Sequence, residues 1–260
     1  MRQKDREFKS VPFYVKVSGR LALFTDPSTK GGGEKFTYQV PTYEALKGII
    51  KSIYWKPTIN WVIDSVKIMQ PIQMETMGVR TLHDEREPKD RQDRSYYTYL
   101  RNPEYLIKCH FEWSDIDRLE EDRDKIKHTA IFKRSLDRGG RKTPFLGTSE
   151  CKAYVEPITE NEYLDAETPY HGTEMTLGLM HHSFDYHDHP DDEFEGITNR
   201  FAITNMKDGE ITFPDLDNDN FITHKVNDVG VRRDYIIGEN MKSVIDEHED
   251  VFGEGDNKGE

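Results

Sequence analysis

The apolar positions between Phe13 and Val155 read, in order, as strand, helix, strand, strand, helix, strand. Aromatic and β-branched residues crowd Phe13 to Phe24, which predicts a first strand. A loop holding Gly31-Gly32-Gly33 between Lys30 and Lys35 follows, and Pro41-Thr42 opens a helix with Thr42 as its cap. Tyr43, Leu46, Ile50, Ile53 and Tyr54 recur at helical spacing, and Lys56-Pro57 ends the run. Trp61 to Met69 predicts a second strand. The segment Arg80 to Arg94 is mixed in charge and rich in turn formers, so it reads as a mobile insertion. Tyr105, Ile107, Cys109, Phe111 and Trp113 alternate with Leu106, Lys108, His110 and Glu112, the clearest strand of the chain. A second helix is expected over Lys125 to Asp137, closed by Gly139-Gly140, and Cys151, Ala153 and Val155 alternate in a last strand.

This order predicts an α+β fold, a ferredoxin-like (RRM-like) βαββαβ domain over residues 13–156 with both helices on one face of an antiparallel sheet. Residues 1–12 form an N-terminal extension. Beyond Val155 the chain turns acidic and turn-rich, with strand-like pieces at Met175–Met180, Ile197–Ile203 and Glu210–Phe213, which predicts a small β-rich acidic domain over 157–240. Residues 241–260, dense in charge and ending near Gly253-Glu254-Gly255-Asp256, read as a frayed acidic tail.

Charge changes the picture of partners. The whole chain carries −13, but residues 151–260 hold 8 basic and 27 acidic side chains, so residues 1–150 balance at +6. Phosphate needs a local positive field rather than a positive total, so the front of the chain remains open to nucleic acid. No apolar run is long enough to cross a bilayer and the first residues carry no apolar signal region, so a cytoplasmic protein without membrane contact is expected. Cys109 and Cys151 have no CxxC spacing and suit the core of a protein in a reducing compartment.

Several residues have side chains suited to chemistry. The run Lys133 to Lys142 carries Lys133, Arg134, Arg138, Arg141 and Lys142 against the single Asp137, and its two glycines allow backbone N–H groups to approach an anion. The same cations also suit a helix C-terminus on electrostatic grounds alone. Lys127-His128 pairs a group that titrates near neutrality with an ammonium able to stabilise a charged phosphorane. Adjacent helical residues point apart, so both reach one substrate only at a helix start or bend. Otherwise they are a solvated surface pair. Tyr54 reads as a core tyrosine, since a phenol of pKa about 10 becomes a useful base only where a cation such as Lys127 or Lys56 lowers that value. The run His181 to Asp192 holds His181, His182, His187 and His189 among aspartates, a density that suits a divalent metal, but no fixed ligand spacing appears and it reads as an acidic loop. No cofactor or metal is expected.

Three ordered stretches, Gly19 to Pro27, Val40 to Ile49 and Ser52-Ile53-Tyr54-Trp55-Lys56-Pro57, resemble the CRISPR-associated family-five proteins of subtype I-C, also called the Dvulg subtype. Lys127-His128, Arg134-Ser135-Leu136, Gly139-Gly140-Arg141 and Phe145-Leu146-Gly147 continue the likeness in order, covering about residues 13–155, with weaker similarity from Gly178 to Tyr186. The resemblance implies a RAMP-type ferredoxin-like domain followed by a smaller β-rich one. It implies metal-independent cleavage of precursor CRISPR RNA in the repeat hairpin, with 2′,3′-cyclic phosphate and 5′-hydroxyl ends. It also implies that the mature crRNA is retained in a surveillance complex with its backbone and large subunits. The residues matching the family's cleavage site are Tyr54, Lys127 and His128; which is acid and which base stays open. Lys56, Arg134, Arg138, Arg141 and Lys142 are the candidate RNA contacts. The chain departs from the family before Pro12, in the length of its 80–94 insertion, in the His/Asp-rich run and in the acidic tail. Two rival readings remain: a non-catalytic subunit that caps the crRNA 5′ handle, and a metal-dependent nuclease built on His181, His182, His187 and His189.

Overall fold

The computed structural model describes residues 8–26, 34–80, 94–114, 116–187, 196–215, 220–227 and 235–253. The Gly31–Gly33 loop, residues 81–93 of the expected insertion, His189 with its aspartate neighbours and the last seven residues lie outside that range.

The strand expected over Phe13 to Phe24 is two strands, β1 (Phe13–Gly19) and β2 (Leu21–Ala22). The chain changes sheet between them, and Gly19 is what allows it. A Cβ there would lie 2.7 Å from Leu146 Cδ1 and 3.0 Å from the Lys152 carbonyl oxygen. A two-residue strand, β3 (Lys35–Phe36), precedes α1 (Tyr43–Ile53). Thr42 caps α1 by accepting from the Ala45 N–H at 3.2 Å, and Tyr43, Leu46, Ile49, Ile50 and Ile53 are its buried side.

Next come β4 (Ile59–Ile68), β5 (Met74–Arg80), β6 (Arg94–Arg101) and β7 (Glu104–Trp113). The register of β4 on β7 shifts between Ile63 and Ser65. That extra residue keeps Ile59, Trp61 and Ile63, then Val66 and Ile68, on the side of the main core, where an unbroken period of two would have turned Ser65 and Lys67 inward. Lys67 is instead buried against Tyr163, whose carbonyl accepts from its ammonium at 2.7 Å. The Arg80 to Arg94 segment was expected to be one turn-rich insertion. Residues 81–93 lie outside the described range, and the segment is flanked by two paired antiparallel strands, β5 and β6, with Thr76 opposite Thr98. Together with β2 and β3 they form a second, four-stranded sheet.

α2 (Lys125–Asp137) follows a 3-10 turn at Asp117–Asp122 and leads to β8 (Ala153–Pro157). In the main sheet β8, β1, β7 and β4 lie side by side, every neighbour antiparallel, with Val17 opposite Val155, Val15 opposite Ile107 and Ile63 opposite Cys109. Phe13, Trp61, Phe111 and Phe132 form the aromatic centre of the core, with Phe132 of α2 at 4.7 Å from Phe13 and 4.6 Å from Trp61 between ring centroids. The fold is mixed α+β and mostly antiparallel.

After α3 (Glu160–Leu164), opened by a Thr159/Glu162 capping box, come β9 (Glu174–His187), β10 (Gly196–Lys207), β11 (Glu210–Thr212) and β12 (Ile222–Asn227). β11 pairs with β4, placing Ile211 opposite Val66, so the strands after residue 157 continue the main sheet beyond its β4 edge. His181 and His182, expected in an acidic loop, lie within β9, and His182 stacks on Tyr43 at 4.1 Å. Among the described residues no three His, Cys, Asp or Glu side chains converge as metal ligands, and no helix is long and apolar enough to cross a membrane. The frayed tail expected from Met241 needs correction. Ser243 caps a helix, α4 (Val244–Phe252), whose Val244 is fully buried. Its capping serine and apolar Val244 and Phe252 fix it against α2 despite its charge density.

On the sheet face away from α1 and α2, His110 is buried between Asp64, at 2.9 Å, and Glu112, at 3.3 Å. Burial works against its charge, but the hydrogen bonds and charges of Asp64 and Glu112 outweigh it and lift the pKa to about 9. A histidine raised in the folded state stabilises fully below its ordinary value of about 6.5, and the contribution is lost as pH rises through about 9. Urea midpoints should therefore decline over that window in the wild-type protein and less steeply in His110→Gln. Equal declines in the two proteins would show that another group titrates.

Candidate active site

Tyr54 does not continue the helical stripe of α1. It is the C-cap, with extended backbone (φ −159°, ψ 134°), its N–H still bonded to the Ile50 carbonyl and its own carbonyl accepting from Trp61 Nε1 at 2.8 Å. That turn out of the helix directs the phenol toward the start of α2. There Asp124 caps the helix by accepting from the N–H groups of Ile126 and Lys127, so Lys127 and His128 both fall in the first turn. The condition that Lys-His neighbours sit at a helix start is met.

Tyr54 Oη lies 2.7 Å from His128 Nδ1, and His128 Nε2 lies 2.9 Å from the Asp122 carbonyl oxygen. A carbonyl only accepts, so Nε2 carries the proton and Nδ1 accepts from the Tyr54 hydroxyl. Both side chains are buried, Tyr54 at 1% and His128 at 0% exposure, with Phe111 and Trp113 flanking the imidazole. Burial pushes the phenol up, and the Glu247 carboxylate raises it further against an opposing Arg141. Burial likewise holds His128 below the usual histidine range, against the pull of Asp122. The phenol thus keeps its proton and the imidazole is neutral. The condition set for Tyr54 as a simple base, a cation such as Lys127 or Lys56 that lowers its pKa, is not met: Arg141 acts that way, but desolvation is larger.

Asp122, which the sequence reading passed over, ties the site together. Its side chain is fully buried; Thr58 Oγ1 donates to it at 2.5 Å, Lys56 Nζ at 3.4 Å, and the Val244 N–H of α4 also donates. It sits in a stretch so rich in carboxylates that nothing in the sequence distinguishes it from its neighbours.

The cations divide into two groups. Arg141 is at the pair, and Lys56 is tied to it through Asp122. Lys56 is 4% exposed, donates to the Lys242 carbonyl at 2.6 Å and faces Glu247 at 3.3 Å. The Arg141 guanidinium lies 4.7 Å from the Tyr54 ring centre, bonds Ser135 through Nε and pairs with Glu247. Lys127, by contrast, pairs with Asp124 at 3.1 Å and is a quarter exposed. Arg134 packs over the Phe252 ring of α4, and Arg138 and Lys142 face solvent.

The glycine turn does something other than expected. The N–H groups of Gly139, Gly140, Arg141 and Lys142 bond the carbonyls of Leu136, Ser135, Ile53 and Ser52. They close the ends of α2 and α1 and leave no amide cradle for an anion. Gly140 is needed for this, since at φ +100° a Cβ would stand 3.1 Å from the Lys142 carbonyl. The turn's role is to hold Arg141 over Tyr54.

The sequence profile of the family described as CRISPR-associated protein (Cas_Cas5) matches residues 14–214. A relative from Mannheimia succiniciproducens, named CRISPR pre-crRNA endoribonuclease Cas5d, is 29% identical over 226 residues, covering 77% of this chain and 93% of its own. A second protein of that name, from Thermus thermophilus, is 28% identical over 64% of this chain and 70% of its own. Among solved structures, one titled as a CRISPR-associated protein is 39% identical with a TM-score of 0.70, and a functionally uncharacterized protein from Streptococcus mutans is 38% identical with a TM-score of 0.69. Each covers 84% of this chain and 98% of its own.

Proposed function

This chain belongs to the Cas5 family of CRISPR-associated proteins, and on that premise we propose that it is an endoribonuclease that cuts precursor CRISPR RNA within the repeat hairpin. It then stays on the product as a subunit of a type I-C surveillance complex in the cytoplasm. The names of its relatives support the substrate, and the order β8-β1-β7-β4, with α1 after β1 and α2 after β7, supports a ferredoxin-like core. The observation that carries the reading is the hydrogen bond from the Tyr54 phenol to His128 Nδ1, with the opposite ring nitrogen committed to Asp122.

The proposed chemistry needs no metal. The ribose 2′-oxygen attacks the adjacent phosphorus as the P–O5′ bond breaks. Its proton passes to the Tyr54 oxygen while the Tyr54 proton moves to His128 Nδ1, so a free phenolate never forms in a site that disfavours one. The imidazolium formed has the Asp122 carbonyl at 2.9 Å and the Asp122 carboxylate at 3.9 Å to stabilise it. Lys127 gives a proton to the departing 5′-oxygen and stabilises the phosphorane. The products are a 2′,3′-cyclic phosphate and a 5′-hydroxyl.

Purified protein in EDTA should cut end-labelled repeat RNA at one position and leave intact the same RNA carrying a 2′-deoxy sugar there. Lys127→Ala should slow the all-ribose reaction. Cleavage of the deoxy substrate excludes this mechanism, and activity abolished by EDTA restores the metal-dependent reading. The burial of Tyr54 and His128 favours one second reading, a subunit that holds the crRNA 5′ handle without cutting. It predicts tight binding with no product.

A further inference from the structure

We propose that Lys56 and Arg141 form a phosphate-binding subsite for the RNA backbone, and that the Glu247 carboxylate of α4 occupies it until RNA displaces the helix. The inference rests on the nuclease reading and deepens it.

A carboxylate and a phosphodiester present similar oxygens to a guanidinium, and an arginine fork binds either in the same geometry. In this structure the carboxylate is supplied by the chain itself. Glu247 pairs with Arg141 through Oε1 and stands 3.3 Å from Lys56 Nζ through Oε2, so it bridges the two cations. Arg141 in turn lies on the face of the Tyr54 ring. An anion replacing Glu247 would therefore rest on Lys56 and on Arg141, the latter already against the ring of the proposed proton carrier. A phosphate of the cleaved strand, held there, would place its ribose beside Tyr54.

The rest of the segment reads as a docked cover. The Lys242 carbonyl accepts from Lys56, the Val244 N–H donates to Asp122, Val244 is fully buried, and Phe252 lies under Arg134. Asp246, Glu249 and Asp250 give the same helix an acidic surface, which RNA would repel. α4 also lies outside the span matched by the family profile. Two facts that otherwise conflict fit together in this way. The catalytic pair is buried in the RNA-free chain, yet the reaction requires contact with a ribose.

The test is amide hydrogen exchange over residues 244–252, with and without a saturating repeat RNA made uncleavable by a 2′-deoxy sugar at the cut site. RNA should lower protection there. Glu247→Gln should bind this RNA about three- to fivefold more tightly, the worth of one partly exposed ion pair. In an Arg141→Gln background the same change should add less, since only the Lys56 pairing of Glu247 is then left to release. Unchanged or greater protection in α4 while wild-type protein cleaves all-ribose repeat RNA overturns this proposal alone, as does weaker binding by a folded Glu247→Gln. If Glu247→Gln does not fold, the exchange result on wild type decides. Absence of any RNA binding or cleavage by wild type overturns the nuclease reading and the subsite together.

Discussion

His128→Ala is expected to slow repeat-RNA cleavage by about 10²- to 10⁴-fold, the range spanned by a positioned general acid or base, with little change in RNA affinity. Among the described residues the imidazole is the acceptor of the Tyr54 hydroxyl, and its tautomer is fixed by the Asp122 carbonyl. Removing it leaves the phenol with no group to take its proton, and the raised phenol pKa makes an unassisted transfer costly. Tyr54→Phe removes the same relay from the other side and should fall in the same range. The double variant should be little worse than either single one, because groups that act as a unit are not additive. Single-turnover rates on a labelled repeat, with affinity measured separately, check all three. Because His128 is packed against Phe111 and Trp113, melting temperature must be read alongside the rate. A Tyr54→Phe protein that melts like wild type and cleaves at the wild-type rate removes Tyr54 from the mechanism.

The second large effect is on stability. Asp122→Ala leaves the Lys56 ammonium buried, with Glu247 as its remaining charged partner, and deprives the Thr58 hydroxyl and the Val244 N–H of their acceptor. Breaking a buried ion pair from one side costs about 3–5 kcal/mol. At roughly 2–4 °C per kcal/mol for a chain of this size, the melting temperature should fall by roughly 6–20 °C. Asp122→Asn keeps an oxygen for Thr58 and Val244 and should lose less. The two variants should also raise exchange over residues 244–252, since one anchor of α4 is gone. A melting temperature within about a degree of wild type for Asp122→Ala, on the same scale, would show that Asp122 does not anchor this region.

Much of the local structure was legible in residue order. The bounds of α2 at Lys125 and Asp137 were legible from its residue pattern and the Gly139-Gly140 stop, with the Asp124 cap seen only in the structure, and β7 follows from its alternation. Tyr54, Lys127 and His128 stood out through family likeness, and Arg141 through the basic run around it. These signals are local: a cap, a period or a short ordered motif is complete within a few neighbouring residues.

The sequence by itself determined the elements, the basic front of the chain and three of the side chains proposed for chemistry. Only the tertiary structure decided that Tyr54 leaves its helix to meet His128, that Asp122 is buried while Glu120 and Glu121 are exposed, and that a segment read as tail returns to bond Asp122 and pair with Arg141. The contact between Val244 and Asp122 spans 122 positions and that between Arg141 and Glu247 spans 106. Pairings at that separation leave no periodicity in the chain. They are selected by which polar groups must be satisfied once the core has excluded water, and that is known only when the core exists.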